Sequence, residues 1–157
     1  MESGAQWFDQ WSADKEEARR SAAAPSWSPR VHDGSGGGGP APRARRGERV
    51  CVCVDVIKPD RRDEWAAFVH DVLGPAGHLV DPDLMASIRF LEPSEANPDG
   101  SWTFLFIMDP YRDEAVYDDQ HYLRRAYGDE RARAYNELWE ECHQVPQLVY
   151  EAEQSAW

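Results

Sequence analysis

The residues best suited to acid–base chemistry lie in one polar stretch that contains Tyr117 and His121. These two residues are four apart, so a helix through the stretch would place both on one face. A histidine titrates near neutral pH and can take a proton from a phenol or an activated methylene group. We therefore predict His121 as the catalytic acid or base, with Tyr117 polarising or holding a substrate oxygen. The alternative is a surface histidine beside the acidic pair Asp118 and Asp119.

Two charged residues interrupt otherwise apolar segments. Arg89 lies within LMASIRFL (84–91), and Asp55 lies within RVCVCVDVI (49–57). A charged side chain in such a segment is either buried with a partner or faces a pocket. Arg89 is therefore a third catalytic candidate that could hold an enolate or a carboxylate. Asp55 is a substrate-binding candidate, and a structural ion pair at a subunit interface is the alternative for either residue.

The sequence does not predict a metal site. Cys51 and Cys53 would share one face of a strand, but no histidine or further cysteine clusters with them. Two thiolates alone make a poor zinc site, so these residues are predicted to be small buried side chains. The three cysteines are an odd number, and no apolar signal-peptide core precedes them. We expect a reduced, cytoplasmic protein.

Charge is divided unevenly along the 157 residues. Residues 1–49 carry eight Lys or Arg and seven Asp or Glu, a net charge of +1, while residues 50–157 have a net charge of −13. So acidic a body repels nucleic acid and anionic membranes, and neither is an expected partner. Nearly all the basic residues are arginine, a composition associated with GC-rich genomes such as those of actinobacteria.

Residues 1–47 are predicted to be a flexible arm. Trp7, Phe8 and Trp11 would form the aromatic face of a short helix, and a linker with four consecutive glycines at 36–39 follows. The linker cannot bury enough apolar surface to offset its chain entropy. The three aromatic residues either pack on the body or dock into a groove of a partner protein.

The remaining residues, 48–157, are predicted to form one α+β domain with the element order βαββαβ. This order is typical of the ferredoxin-like, split-βαβ fold with an antiparallel sheet. The predicted strands are 49–57, 84–91, 101–108 and 147–152. The first predicted helix is 61–73, capped by Asp60 and ended by Gly74-Pro75; the second spans 113–143 and breaks near Gly128, where Asp129 caps its second piece.

The strands are apolar on both faces. The first strand has valines on one face and Cys51, Cys53 and Asp55 on the other. Two helices can cover one face of the sheet, and the sheet of a second subunit is the simplest cover for the other. A homodimer is therefore expected. The pattern leaves open which face of the first strand meets the helices, and hence whether Asp55 belongs to a pocket or to the interface.

About residues 48–153 resemble the dimeric α/β-barrel superfamily, which includes proteins similar to antibiotic-biosynthesis monooxygenases and polyketide cyclases. The resemblance rests on VCVCVDVIKPDRRDEWAAFV, SIRFLEPSEANPDGSWTFLFIMDP, YDDQHYLRRAYGDERARAYNELWEECH and VPQLVYEAE. It implies a pocket between sheet and helices that acts on aromatic or polyketide-like molecules, commonly without a cofactor. Trp102, Tyr122 and Trp139 are further substrate-binding candidates. Some relatives bind haem, for which His78 or His143 could serve as iron ligand.

Two hypotheses follow for function. The first is a homodimeric enzyme that oxygenates or cyclises a small aromatic or polyketide-like metabolite without a cofactor. The second is a non-catalytic assembly protein whose N-terminal tryptophans bind a partner protein. A haem-binding barrel is a further alternative.

Overall fold

The structure is a computed structural model that describes residues 42–156, which belong to one compact unit of the chain. The predicted docking residues Trp7, Phe8 and Trp11 lie outside the described part, as does almost all of the predicted arm. Within residues 42–156, no helix is long and apolar enough to cross a membrane.

Four antiparallel strands form the sheet: β1 (Arg49–Ile57), β2 (Ile88–Leu91), β3 (Trp102–Met108) and β4 (Leu148–Glu153). Their spatial order is β2-β3-β1-β4, so the apolar strands β1 and β3 occupy the centre. Helices join β1 to β2 and β3 to β4 and cover one face. This is the ferredoxin-like βαββαβ arrangement, and the predicted α+β fold class is confirmed.

The first helical connection is longer than predicted. It comprises α1 (Arg62–Phe68), a π-helical segment (Val69–Leu73) and α2 (Gly74–Val80), which follow one another without a break. The prediction that Gly74-Pro75 ends the helix was wrong. Pro75 lacks a backbone donor, and we attribute the neighbouring π-helical segment to its accommodation. The predicted Asp60 cap was also wrong, because Arg61 precedes the helix without a capping side chain.

A short helix, α3 (Pro82–Met85), and the turn that follows it at 86–87 replace the first half of the predicted second strand, 84–91. It begins at Asp81, whose Oδ1 accepts a hydrogen bond from the Leu84 amide at 3.0 Å. A capping aspartate followed by proline favours a helical turn, so the strand starts only at Ile88.

The second helical connection begins later than predicted. Residues 109–118 are irregular, and α4 (Asp119–Tyr127) begins where the Asp118 side chain accepts the Gln120 amide. The predicted break is confirmed at Gly128, whose φ of 86° ends α4 in a conformation that favours glycine. Gly128 itself, rather than Asp129, occupies the capping position of α5 (Asp129–Cys142).

The face of β1 that carries Asp55 meets the helices. Cys51, Cys53, Asp55 and Ile57 are buried, whereas the valines of β1 lie on the opposite, outer face. The core between sheet and helices contains Trp65, Phe68, Phe104, Leu123 and Leu138. Asp55 therefore lies on the inner side of the sheet and not on its outer face.

Candidate functional site

A cavity of about 220 Å³ opens between the inner face of the sheet and the helices. Its sheet side carries side chains of all four strands, among them Cys51, Cys53, Ile88, Phe106, Met108, Val149 and Glu151. Its helix side carries Leu73, Gly77, Met85 and Tyr122. Most of these side chains are apolar, as is usual for sites that bind small molecules.

An aromatic wall is contributed by the irregular segment that precedes α4. Tyr111 and Tyr117 are stacked with ring centres 4.8 Å apart and planes 15° from parallel, and both line the cavity. The Tyr117 hydroxyl oxygen accepts a hydrogen bond from the Arg112 amide at 2.9 Å, which fixes its position. The Tyr122 hydroxyl donates to the carbonyl oxygen of Val116 and so ties this segment to α4.

Asp119 is a carboxyl group of the cavity lining whose pKa is strongly raised. It is the first residue of α4, and its side chain is partly buried in the cavity wall. Burial raises the pKa of this carboxyl to about 7, with smaller contributions from the nearby carboxylates of Asp55 and Asp118. A carboxyl that titrates near neutral pH can both accept and return a proton under physiological conditions.

A buried chain of polar groups lies behind the cavity. Gln147, which lines the cavity, donates from Nε2 to Oδ1 of Asp55 at 2.9 Å. The same Oδ1 lies 2.7 Å from Nε2 of His143, and Nδ1 of His143 lies 2.7 Å from the carbonyl oxygen of Trp139. A carbonyl can only accept, so Nδ1 carries a proton. Nε2 of His143 and the fully buried carboxyl group of Asp55 share a second proton across their 2.7 Å contact.

The surroundings of His143 hold its ring firmly. The imidazole stacks on Trp139, with ring centres 4.8 Å apart, and meets Trp65 edge-on at the same distance. It follows the last residue of α5, where the helix dipole favours a cation. The Asp55–His143 pair thereby connects the end of α5 to the C-terminal part of β1.

The structure brings only some of the predicted site residues to the cavity. Tyr117 and Tyr122 line it, and Asp55 lies behind it. His121 does not line it: Tyr117 precedes the start of α4, so the two residues do not share a helical face. The catalytic roles predicted for Tyr117 and His121 remain predictions.

Three further predicted residues lie away from the cavity lining. Arg89 is exposed on the outer face of β2 and pairs with Asp109 at 2.9 Å. Trp102 lies at the start of β3, where its indole nitrogen donates to the Pro59 carbonyl oxygen. Trp139 packs in the core against Trp65 and His143. None of them lines the cavity, so we assign them no contact with a ligand there.

The remaining candidate ligands do not suit metal or haem chemistry. Burial raises the pKa of Cys53 to about 12 and also raises that of Cys51, so both remain neutral thiols. Both ring nitrogens of His143 are engaged in hydrogen bonds, and His78 lies on the exposed side of α2. Neither histidine lines the cavity, so these residues do not fit axial ligation of a haem there.

Asp119 and Gln147 were missed as site residues. Both look like ordinary polar residues in the sequence, one beside a helix cap and one after a proline. The Asp118-Asp119 pair did carry a usable signal. If Asp118 caps the helix, Asp119 is its first residue, and the helix then orients it independently of the cap.

Gly77 gives a way to test whether the cavity binds a ligand. A methyl group at this position would lie 2.4 Å from the sulfur atom of Met85, which also lines the cavity. Because the methionine side chain is flexible, we expect Gly77→Ala to displace it and narrow the cavity, changing the free energy of unfolding by less than about 1 kcal/mol. Ligand affinity should fall, and Met85→Ala in the same chain should restore it. Unchanged affinity in Gly77→Ala would place the ligand elsewhere.

No family model matches the chain, and no curated protein matches it. Among solved structures, the chain matches a "putative antibiotic biosynthesis monooxygenase" from Caulobacter crescentus with a TM-score of 0.41 and 11% sequence identity. The match covers 71% of this chain and 92% of the other. A similarity of this size carries no inference about activity, and the fold assignment rests on the strand order described above.

Proposed function

We propose that the domain is an enzyme that binds a small aromatic or polyketide-like molecule in the cavity and uses Asp119 as its general base. The observation that carries this proposal is the position of Asp119 in the wall of an aromatic-lined, largely apolar cavity, where burial raises the pKa of its carboxyl to about 7. Perturbed titration in a cleft is typical of catalytic acids and bases. This replaces His121 in the role of base.

The Asp119 carboxylate removes a proton from a phenol or an activated methylene group, and the electron pair remains on the substrate as a phenolate or enolate. The hydroxyl of Tyr117 accepts the Arg112 amide, so its own proton is available to the substrate oxygen on which charge develops. Both groups line the same cavity. Proton removal and stabilisation of the resulting anion are thereby provided by neighbouring side chains.

Two reactions of this anion are chemically complete without an organic or metal cofactor: a cyclisation and an oxygenation by O₂. In a cyclisation, the enolate carbon forms a bond to a ketone carbonyl of the same substrate, the resulting alkoxide takes up the proton from Asp119, and water then leaves. In an oxygenation, the substrate methylene is oxidised by O₂ to a carbonyl; one oxygen atom enters the product and the other leaves as water. The substrate is itself the reductant.

The pH dependence of turnover tests the proposal. Because only the ionised Asp119 accepts a proton, we expect kcat/KM to rise with pH through about 7 and then to level off. The candidate substrates are a panel of two- and three-ring phenols and ketones with an activated methylene group. Turnover is measured by oxygen uptake and by mass spectrometry of the products. A panel that remains unconverted, or a rate independent of pH from 5 to 9, would contradict the proposal.

We also propose that the enzyme is a homodimer joined through the outer face of the sheet. Val52 and Val54 of β1 lie there beside Ile107 and Leu105 of β3. Leu148 and Tyr150 of β4 pair with the same valines and are 45% and 57% exposed. A broad apolar face of this kind is typical of subunit interfaces.

Val54→Glu is expected to convert the dimer to a monomer, because it places a charge at the centre of this face. Light scattering coupled to size exclusion would measure the mass. Arg133→Glu, on the exposed surface of α5, is the matched control and should leave the dimer intact. A monomeric unmodified protein would rule out the proposed dimer. The partner-docking role of Trp7, Phe8 and Trp11 stays a prediction, since these residues lie outside the described part.

A further inference from the structure

The charged residues that line the cavity are all acidic among the described residues. They are Asp119 and Glu151, and no Lys, Arg or His is among the described residues that line the cavity. Glu151 accepts a hydrogen bond from Arg49 at 3.3 Å, and Arg49 is shared with Asp113. Asp119 has no cationic hydrogen-bond partner among residues 42–156. Within the described lining, Asp119 is therefore the acidic group without a cationic partner, and an anion that enters beside it would meet its unpaired negative charge.

Three side chains of the lining, Asp119, Glu151 and Gln147, offer acceptor oxygens to a ligand. Gln147 uses one Nε2 hydrogen on Asp55, which fixes the orientation of its amide and leaves its carbonyl oxygen available as an acceptor. The Tyr122 proton is engaged by the Val116 carbonyl oxygen. Asp119 and Glu151 offer carboxylate oxygens, while Tyr111 and Tyr117 retain neutral hydroxyl donors. The charged groups of the lining can thus only accept while ionised.

We propose that the cavity selects aromatic molecules that carry at least two hydroxyl or amine donors and no carboxylate, sulfate or phosphate group. This deepens the proposed function and rests on it for the location of the site. Donors on the ligand match the acceptor oxygens of Asp119, Glu151 and Gln147, and the aromatic ring matches the stacked pair Tyr111 and Tyr117. Discrimination against anions comes from like-charge repulsion in a partly desolvated cavity.

Three matched two-ring probes test this selectivity: 2,7-dihydroxynaphthalene, 7-amino-2-naphthol and 7-hydroxy-2-naphthoic acid. Their affinities for the full chain can be measured by calorimetry at pH 8 and pH 5. At pH 8 we expect the diol and the aminonaphthol to bind at least about tenfold more tightly than the acid. At pH 5 Asp119 is protonated, so the difference in affinity between the acid and the other two probes should become smaller. Asp119→Asn and Glu151→Gln should each raise the affinity for the acid at pH 8.

The outcomes separate this inference from the proposed function. If the diol binds selectively but no substrate is turned over, the selectivity stands and the enzymatic proposal fails. If the naphthoic acid binds as tightly as the diol at pH 8, or if none of the three probes binds, the selectivity is overturned whether or not turnover is found. Gly77→Ala, which narrows the cavity, should weaken the binding of the diol and confirm that the probe occupies this site.

Discussion

Replacing Asp119 with Asn is expected to lower kcat/KM at pH 8 by at least about 100-fold, because general-base catalysis typically contributes 10² to 10⁴. The same change should make the folded domain more stable at pH 8. Asparagine has nearly the shape of aspartate but carries no charge that has to be desolvated. Loss of activity combined with a gain of stability is typical of a residue held in place for function.

The sign of the stability effect follows from proton linkage. The pKa of Asp119 rises from 3.8 to about 7 on folding, so the folded state binds the proton more tightly. The stabilisation that the folded state gains from this raised pKa is fully present below about pH 4 and is lost as the pH rises through about 7. A shift of three pKa units corresponds to about 4 kcal/mol. Solvent at the partly exposed carboxyl screens this, and we expect a gain of roughly 1–2 kcal/mol for Asp119→Asn at pH 8.

Urea unfolding of both proteins at pH 5 and pH 8 measures this effect. The difference in unfolding free energy between variant and parent should be small at pH 5 and should favour the variant at pH 8. Asp63→Asn is the matched control, since Asp63 is an exposed acid in the first turn of α1. It should alter neither turnover nor the pH dependence of stability. Destabilisation by Asp119→Asn at pH 8 would indicate a structural role and refute the assignment of the base.

The two central strands could be located from the sequence because each is a nearly continuous apolar run. Burial alternates along β1, and the pairing register with β3 places Cys53 opposite Phe106 and Asp55 opposite Phe104 on the inner face. The helix boundaries were harder to predict, since they depend on single caps. Asp81 followed by Pro82 converts the predicted start of β2 into a helical turn. The hydrophobic pattern alone does not predict whether such a segment forms a capped helical turn or an extended strand.

The candidate site could not be predicted in full because its residues meet only through the tertiary fold. Asp55 and Gln147 are 92 positions apart, and antiparallel pairing of β1 with β4 brings their side chains together. The expected pairing of Tyr117 with His121 assumed a helix from 113, but Asp118 delays its start to Asp119. That one boundary removes His121 from the face of Tyr117. It makes Asp119 the carboxyl that the first turn presents to the cavity.

The buried pair of Asp55 and His143 should show the largest effect on stability. Removal of either partner leaves the other one buried without its hydrogen-bonded partner, and breaking a buried pair in this way typically costs about 3–5 kcal/mol. We expect His143→Ala and Asp55→Ala each to lower the unfolding free energy by roughly this amount. His78→Ala is the matched control, because His78 also bonds a carbonyl four residues earlier but lies exposed. Its effect should be within about 0.5 kcal/mol.

A double-mutant cycle separates loss of the pair from loss of packing. In Asp55→Ala with His143→Ala neither member of the pair is left in the core without the other, so the double variant should be more stable than the sum of the two single effects implies. Strict additivity would mean that the imidazole and the carboxylate do not interact, in conflict with their 2.7 Å separation. Gln147 also depends on this pair, since Asp55 Oδ1 is the acceptor that orients its amide. Ligand affinity should therefore fall in Asp55→Ala even at temperatures where that variant remains folded, and it should be unchanged in His78→Ala.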